Sequence, residues 1–136
     1  MPAPYRILSL DGGGIRGLLT LQVLKRLVAQ RPTLISEVDL FAGTSTGGII
    51  ALGLAQGLSI DTLEALYLKH GKAIFKDTLW DDIKDLGQLI GADYSLDALL
   101  ATCTTHFGTT TLGQLKRRVL ISAFDLDDPD ATPRRW

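Results

Sequence analysis

Twice within the first fifty residues, a short apolar run ends in a cluster of glycines that leads directly into a helical pattern. The first run is Tyr5 to Leu10 (YRILSL), followed by Asp11-Gly12-Gly13-Gly14-Ile15-Arg16-Gly17. The second is Val38 to Ala42, followed by Gly43-Thr44-Ser45-Thr46-Gly47-Gly48. Apolar runs bounded by turn residues read as buried strands. Behind the first loop, Gln22, Lys25, Arg26, Ala29 and Gln30 share one helical face. An apolar stripe of Leu19, Val23, Leu24, Leu27 and Val28 faces the other way, and Pro32 ends the helix. Behind the second loop a small-residue helix reaches Gln56, where Gly57 stops it. The order is strand, glycine loop, helix, strand, tight turn, helix. Right-handed crossovers turn that order into a parallel sheet covered by helices on both faces.

Farther along, Ser59 or Asp61 can cap a helix running through His70, with Ile60, Leu63, Leu66 and Tyr67 as its apolar face. Residues 72–92 read as an irregular excursion with acids around Trp80. Ser95 caps a further helix carrying Leu96, Leu99, Leu100 and Cys103 at i, i+3, i+4 and i+7. Val119 to Phe124 reads as a third buried strand, and the tail from Asp125 is polar. With 136 residues, 46% of them apolar, the chain reads as a single domain, 1–136. A formal net charge of −1 argues against electrostatic capture of nucleic acid or of an anionic membrane surface. The single cysteine, Cys103, excludes a disulfide framework and a cysteine zinc cluster. No secretory signal is visible, and no apolar run approaches the roughly 20 residues of a membrane-spanning helix. These features read as a soluble protein of a reducing compartment.

The sharpest chemical signal is Gly43-x-Ser45-x-Gly47 between a strand and a helix. A serine on such a turn stands on a strained backbone with its hydroxyl out of the sheet, and the flanking glycines remove the clashes side chains would make. Amides at the start of the following helix can help to hold a developing negative charge. The plainer reading is a small-residue turn that packs a helix close to a strand. Gly12, Gly13 and Gly14 expose backbone N–H groups, and two uses compete for them. One is an oxyanion hole serving Ser45. The other is dinucleotide binding, because Gly12-x-Gly14-x-x-Gly17 meets that pattern by spacing. The second lacks an acid at the far end of the next strand, where Ser45 stands instead, and Asp11 would repel a pyrophosphate. Adjacent parallel strands would open both loops at one carboxyl edge, an arrangement suited to acyl transfer.

The DGGGIRG loop, followed some thirty residues later by FAGTSTGG, resembles the patatin-like phospholipases, with weaker similarity in YSLDALLATCTTHFG and VLISAFDLDD. The resemblance implies a three-layer α/β/α fold with a mainly parallel central sheet. It also implies a lipid acyl hydrolase, phospholipase A-like, that uses a Ser-Asp dyad without histidine. On that pattern Ser45 is the nucleophile and Gly12, Gly13 and Gly14 form the oxyanion loop. Arg16, Gly17, Gly43 and Gly47 support the two motifs, with Arg16 facing an acidic neighbour, a lipid phosphate or a structural ion pair. The implied substrate is a lipid or phospholipid ester met by transient contact with a membrane surface. No metal, organic cofactor or nucleic acid is implied, and the expected location is cytoplasmic, peripheral at membranes.

One element of the pattern is missing. The family's aspartate lies in an Asp-Gly-Gly or Asp-Gly-Ala motif, and no aspartate after Ser45 is followed by glycine. Asp125, Asp127 and Asp128 follow the third strand and read better as solvated acids than as the base. The chain therefore reads as the amino-terminal part of such a domain, ending before the base and inactive alone. The alternative is a non-catalytic module that binds lipid or a partner chain. His70 and His106 read as helix-end residues, Cys103 as a buried thiol on an apolar stripe, and Trp80 and Tyr94 as packing anchors rather than a lipid-contacting lid.

Overall fold

The computed structural model describes residues 4–74 and 96–123. Three parallel strands, β1 (Ile7–Leu10), β2 (Leu40–Gly43) and β3 (Arg118–Ile121), form a sheet in the order β1-β2-β3. Helix α1 (Gly17–Gln30) joins β1 to β2, and α2 (Thr46–Gln56), α3 (Ile60–Ile74) and α4 (Leu96–Phe107) lie between β2 and β3. This is the α/β class and the parallel pairing that the sequence predicts. Leu10, Gly43 and Ile121 stand side by side across the sheet, so all three strands end at one edge.

One core holds the described elements together. Phe41 of β2, Leu21 and Leu24 of α1, Ile50, Ala51, Leu54 and Ala55 of α2, and Leu63, Leu66 and Tyr67 of α3 are buried in it, with Leu8, Leu10 and Val119 contributed by the outer strands. Because the strands advance in one direction, right-handed crossovers carry the connecting helices to the same side of the sheet. The described residues thus supply the sheet and one helical layer of the α/β/α arrangement. Burying a Leu- or Phe-sized side chain there contributes about 1.5–3 kcal/mol.

Three burial expectations are corrected. Among the described residues β1 and β3 stand at the edges of the sheet with one face uncovered: Ile7 is 60% and Leu120 56% exposed. Among the described residues β2 alone has a strand on each side, and there the apolar run buries Phe41 completely. In α1 the inward positions are Gly17, Leu21 and Leu24, whereas Leu19, Val23 and Leu27 face outward. Apolar residues nearly encircle this helix, so periodicity leaves its orientation open, and tertiary contact chooses 17-21-24. In α4, Leu100 is exposed and Thr102 is buried instead.

Helix boundaries follow local chemistry. Gly57, at φ 98°, closes α2 with its N–H on the Gly53 and Leu54 carbonyls, and the Leu58 N–H also reaches Gly53. Ser59 caps α3, its Oγ accepting from the Thr62 amide at 3.0 Å. That helix does not stop at His70. It runs on through a buried Gly71 to Ile74, so His70 is an interior residue that meets His106 edge-on, ring centroids 6.2 Å apart. His106 does stand in the last turn of its helix. The proposed excursion from residue 75 on, with Trp80, Tyr94 and the cap Ser95, lies outside the described residues, as do Asp125, Asp127 and Asp128.

Candidate active site

β1 passes into the loop at Asp11 and β2 into the turn at Thr44, and the Thr44 amide donates to the Leu10 carbonyl at 3.3 Å. Both glycine motifs therefore leave the sheet at its carboxyl edge, side by side. Ser45 has φ 52° and ψ −123°, the one non-glycine residue of positive φ among the described residues. Those angles lie close to the first central position of a type II′ turn, which glycine ordinarily fills. The strain, about 1–3 kcal/mol, persists only where neighbours over-determine the backbone. Here the Thr44 carbonyl accepts from Gly47 at 2.9 Å, and the Ser45 carbonyl accepts from Gly48 at 2.9 Å and Ile49 at 3.2 Å. The Ser45 side chain is exposed at the top of the turn.

The flanking glycines are required by space. A Cβ on Gly43 would lie 2.4 Å from the Gly47 carbonyl oxygen, and one on Gly47 would lie 2.2 Å from that of Leu10. A Cβ on Gly12 would lie 2.9 Å from the Thr44 oxygen and 3.1 Å from the Ser45 Cβ. The first glycine loop therefore rests directly on the serine turn.

Gly13 (φ 147°) and Gly14 (φ 57°) carry the loop through backbone conformations closed to most side chains. Arg16 latches it: its amide and its Nε both donate to the Gly13 carbonyl, at 3.1 and 3.3 Å. Among the described residues this guanidinium makes no ion pair, and its contact there is the one that fixes the loop. A trans peptide aims its N–H opposite to its C=O, so the Gly14 amide leads away from Arg16. Among the described residues the amides of Gly12, Gly13, Gly14 and Thr46 donate to no backbone carbonyl, whereas those of Gly47 and Gly48 are spent inside the turn. Four main-chain donors without such a partner thus lie in the two loops, the Thr46 amide at the positive end of α2.

Two neighbours of the turn were given no role by the sequence. Ser122, just beyond β3, shares a 2.9 Å hydrogen bond with the Thr44 hydroxyl. The register of the third strand was the information needed to see it. Thr46 is 2% exposed, and its hydroxyl finds no hydrogen-bond partner among the described residues. Thr46→Val therefore forfeits no hydrogen bond, and we expect stability unchanged or raised by up to about 1 kcal/mol in urea denaturation. A loss above that would reveal a partner for the hydroxyl.

Other features lie apart from the serine. An open cleft of about 800 Å3, lined by Tyr5, Leu40, Leu115, Arg118 and Leu120 among others, sits at the opposite, amino ends of the strands. Cys103 is half-buried, and burial pushes its thiol above the usual range, away from nucleophile chemistry. Among the described residues no group of three or more His, Cys, Asp or Glu side chains is placed to hold a metal. No helix among them is long and apolar enough to cross a membrane.

The profile of a family described as "Patatin-like phospholipase" matches residues 8–135, covering both glycine motifs and all three strands after Ile7. The chain belongs to this family. It is 41% identical over 121 residues to a cGAMP-activated phospholipase of Pseudomonas aeruginosa, an alignment covering 88% of this chain and 36% of that protein. A cGAMP-activated phospholipase of Escherichia coli is 38% identical over 130 residues, covering 89% of this chain and 36% of the relative. Patatin-17 of Solanum cardiophyllum is 27% identical over 135 residues, with 88% and 33% covered. This member of the patatin-like family thus spans about a third of these relatives' lengths.

Proposed function

We propose that the complete protein hydrolyses carboxyl esters of lipids, with Ser45 as nucleophile. The Ser45 Oγ attacks the acyl carbonyl, and the amides of Gly12, Gly13 and Gly14 hold the tetrahedral oxyanion. A carboxylate accepts the serine proton and returns it to the departing alcohol, and water then releases the fatty acid from the acyl-enzyme. In this reading the base belongs to the part of the domain that the relatives possess and this chain does not span. Each oxyanion donor is worth about 2.7–4 kcal/mol of transition-state stabilisation. The reaction as written needs no metal or organic cofactor. Its substrate enters from a lipid surface, by peripheral contact.

The observation that carries this reading is the strained φ of 52° at Ser45 with Gly12 packed against the same turn. A packing turn has no need of a non-glycine residue there. The missing Asp-Gly keeps the lipid- or partner-binding module as the second reading of the 136-residue chain by itself. A fluorophosphonate, which reacts with activated serines, separates the two. An adduct at Ser45 of the full-length protein, none in Ser45→Ala, and none on residues 1–136 alone is the expected outcome. Absence of adduct from the full-length protein, with and without cGAMP, would favour the module.

A further inference from the structure

We infer that Tyr67 is a positioning residue that braces the oxyanion loop against the nucleophile turn. The inference rests on the reading of Ser45 and the glycine loop given above. Tyr67 lies on α3, and its ring is 1% exposed. Its phenolic O–H donates to the carbonyl of Thr46, at 2.8 Å. Thr46 immediately follows Ser45 and opens α2, so the bond grips the turn at its carboxyl side.

The same ring closes the other loop. A Cβ on Gly17 would lie 2.5 Å from Tyr67 Cε1 and 2.8 Å from its Oη. Gly17 is the last residue of the glycine motif and the first of α1. One rigid side chain thereby spans the two segments whose separation sets the distance from the serine to the oxyanion donors. The Gly47 contact to the Leu10 and Asp11 carbonyls fixes that separation from the sheet side, and Tyr67 fixes it from the helix side.

The chemistry of the residue suits the task. A buried phenol costs free energy unless bonded, so the packing alone would be served as well by phenylalanine. Burial pushes the Tyr67 hydroxyl well above its usual pKa, which keeps it a donor throughout the working pH range. The carbonyl it binds has a second lone pair for the helix ladder, so the brace takes nothing from α2. A loss of order at the 1 Å scale between nucleophile and donors lowers the chemical step without a matching change in substrate binding.

The test uses the full-length enzyme, with active sites counted by fluorophosphonate titration so that unfolded protein does not enter the rate. Tyr67→Phe keeps the ring against Gly17 and removes only the hydroxyl. Turnover per titrated site is expected to fall about tenfold, with KM changed by less than about twofold. Gly17→Ala retains the phenol but pushes its ring and hydroxyl together off their seat, and it is expected to lower turnover per site at least as much, again with little effect on KM. A purely structural role would lower the number of titratable sites and leave turnover per site at the wild-type value in both variants. That result, with Ser45→Ala inactive, overturns the brace alone. Full activity in Ser45→Ala overturns the active-site reading and the brace with it.

Discussion

Ser45→Ala is expected to lower hydrolysis of a nitrophenyl acyl ester by the full-length protein by about 10⁴-fold or more, because removing a nucleophile abolishes the covalent route and leaves only binding and oxyanion effects. The fold should survive, since the Ser45 side chain is exposed and makes no side-chain cap bond on α2. Ser45→Gly sharpens the result. Glycine adopts φ 52°, ψ −123° without the steric cost that serine bears, so this variant should be inactive and yet more stable than wild type by about 1 kcal/mol. Urea denaturation of the three proteins measures the second effect. Gaining stability on losing activity would mark the strain as a cost of holding a nucleophile. Equal rates in wild type and Ser45→Ala would remove the serine from the mechanism, whatever the stabilities.

The second large effect concerns Gly47→Ala. Its added methyl would lie 2.2 Å from the Leu10 carbonyl oxygen and 2.6 Å from that of Asp11, both main-chain atoms with no rotamer by which to retreat. Helix α2 must then move off β1 at the point where the two loops meet. We expect a loss of about 3 kcal/mol or more, in the range of severe overpacking, and loss of esterase activity in whatever fraction stays folded. Gly113→Ala is the matched control, because a Cβ there meets nothing within 4 Å. Its midpoint in urea should stay near that of wild type. A Gly47→Ala protein as stable as the control would mean that the α2–β1 approach is looser than described.

Chain order and turn chemistry were legible because they are local. Pro32 two residues after α1, Gly57 in its left-handed conformation after α2, and Ser59 ahead of α3 act through their own backbone angles and their immediate neighbours. The strained serine was legible for the same reason: glycines on either side of a serine between strand and helix are a statement about one turn. What failed was orientation and extent. Leu19, Val23 and Leu27 read as an inward stripe and face outward, and α3 continues past His70. Sequence periodicity states that a helix has an apolar side, while the partners available to that side decide which residues occupy it.

The linear chain by itself determined the α/β class, the two glycine loops, the position of the strained serine and the family those motifs belong to. Each is encoded in residues within a few positions of one another. Only the tertiary structure decided that Gly12 rests on the serine turn, that Arg16 clasps the Gly13 carbonyl, and that Tyr67 joins Thr46 to Gly17. The last of these contacts crosses twenty-one residues in one direction and fifty in the other, as the numbering records. Such pairings arise when a common core draws α3 onto both loops at once. Their cause is long-range burial, which leaves no spacing rule along the chain.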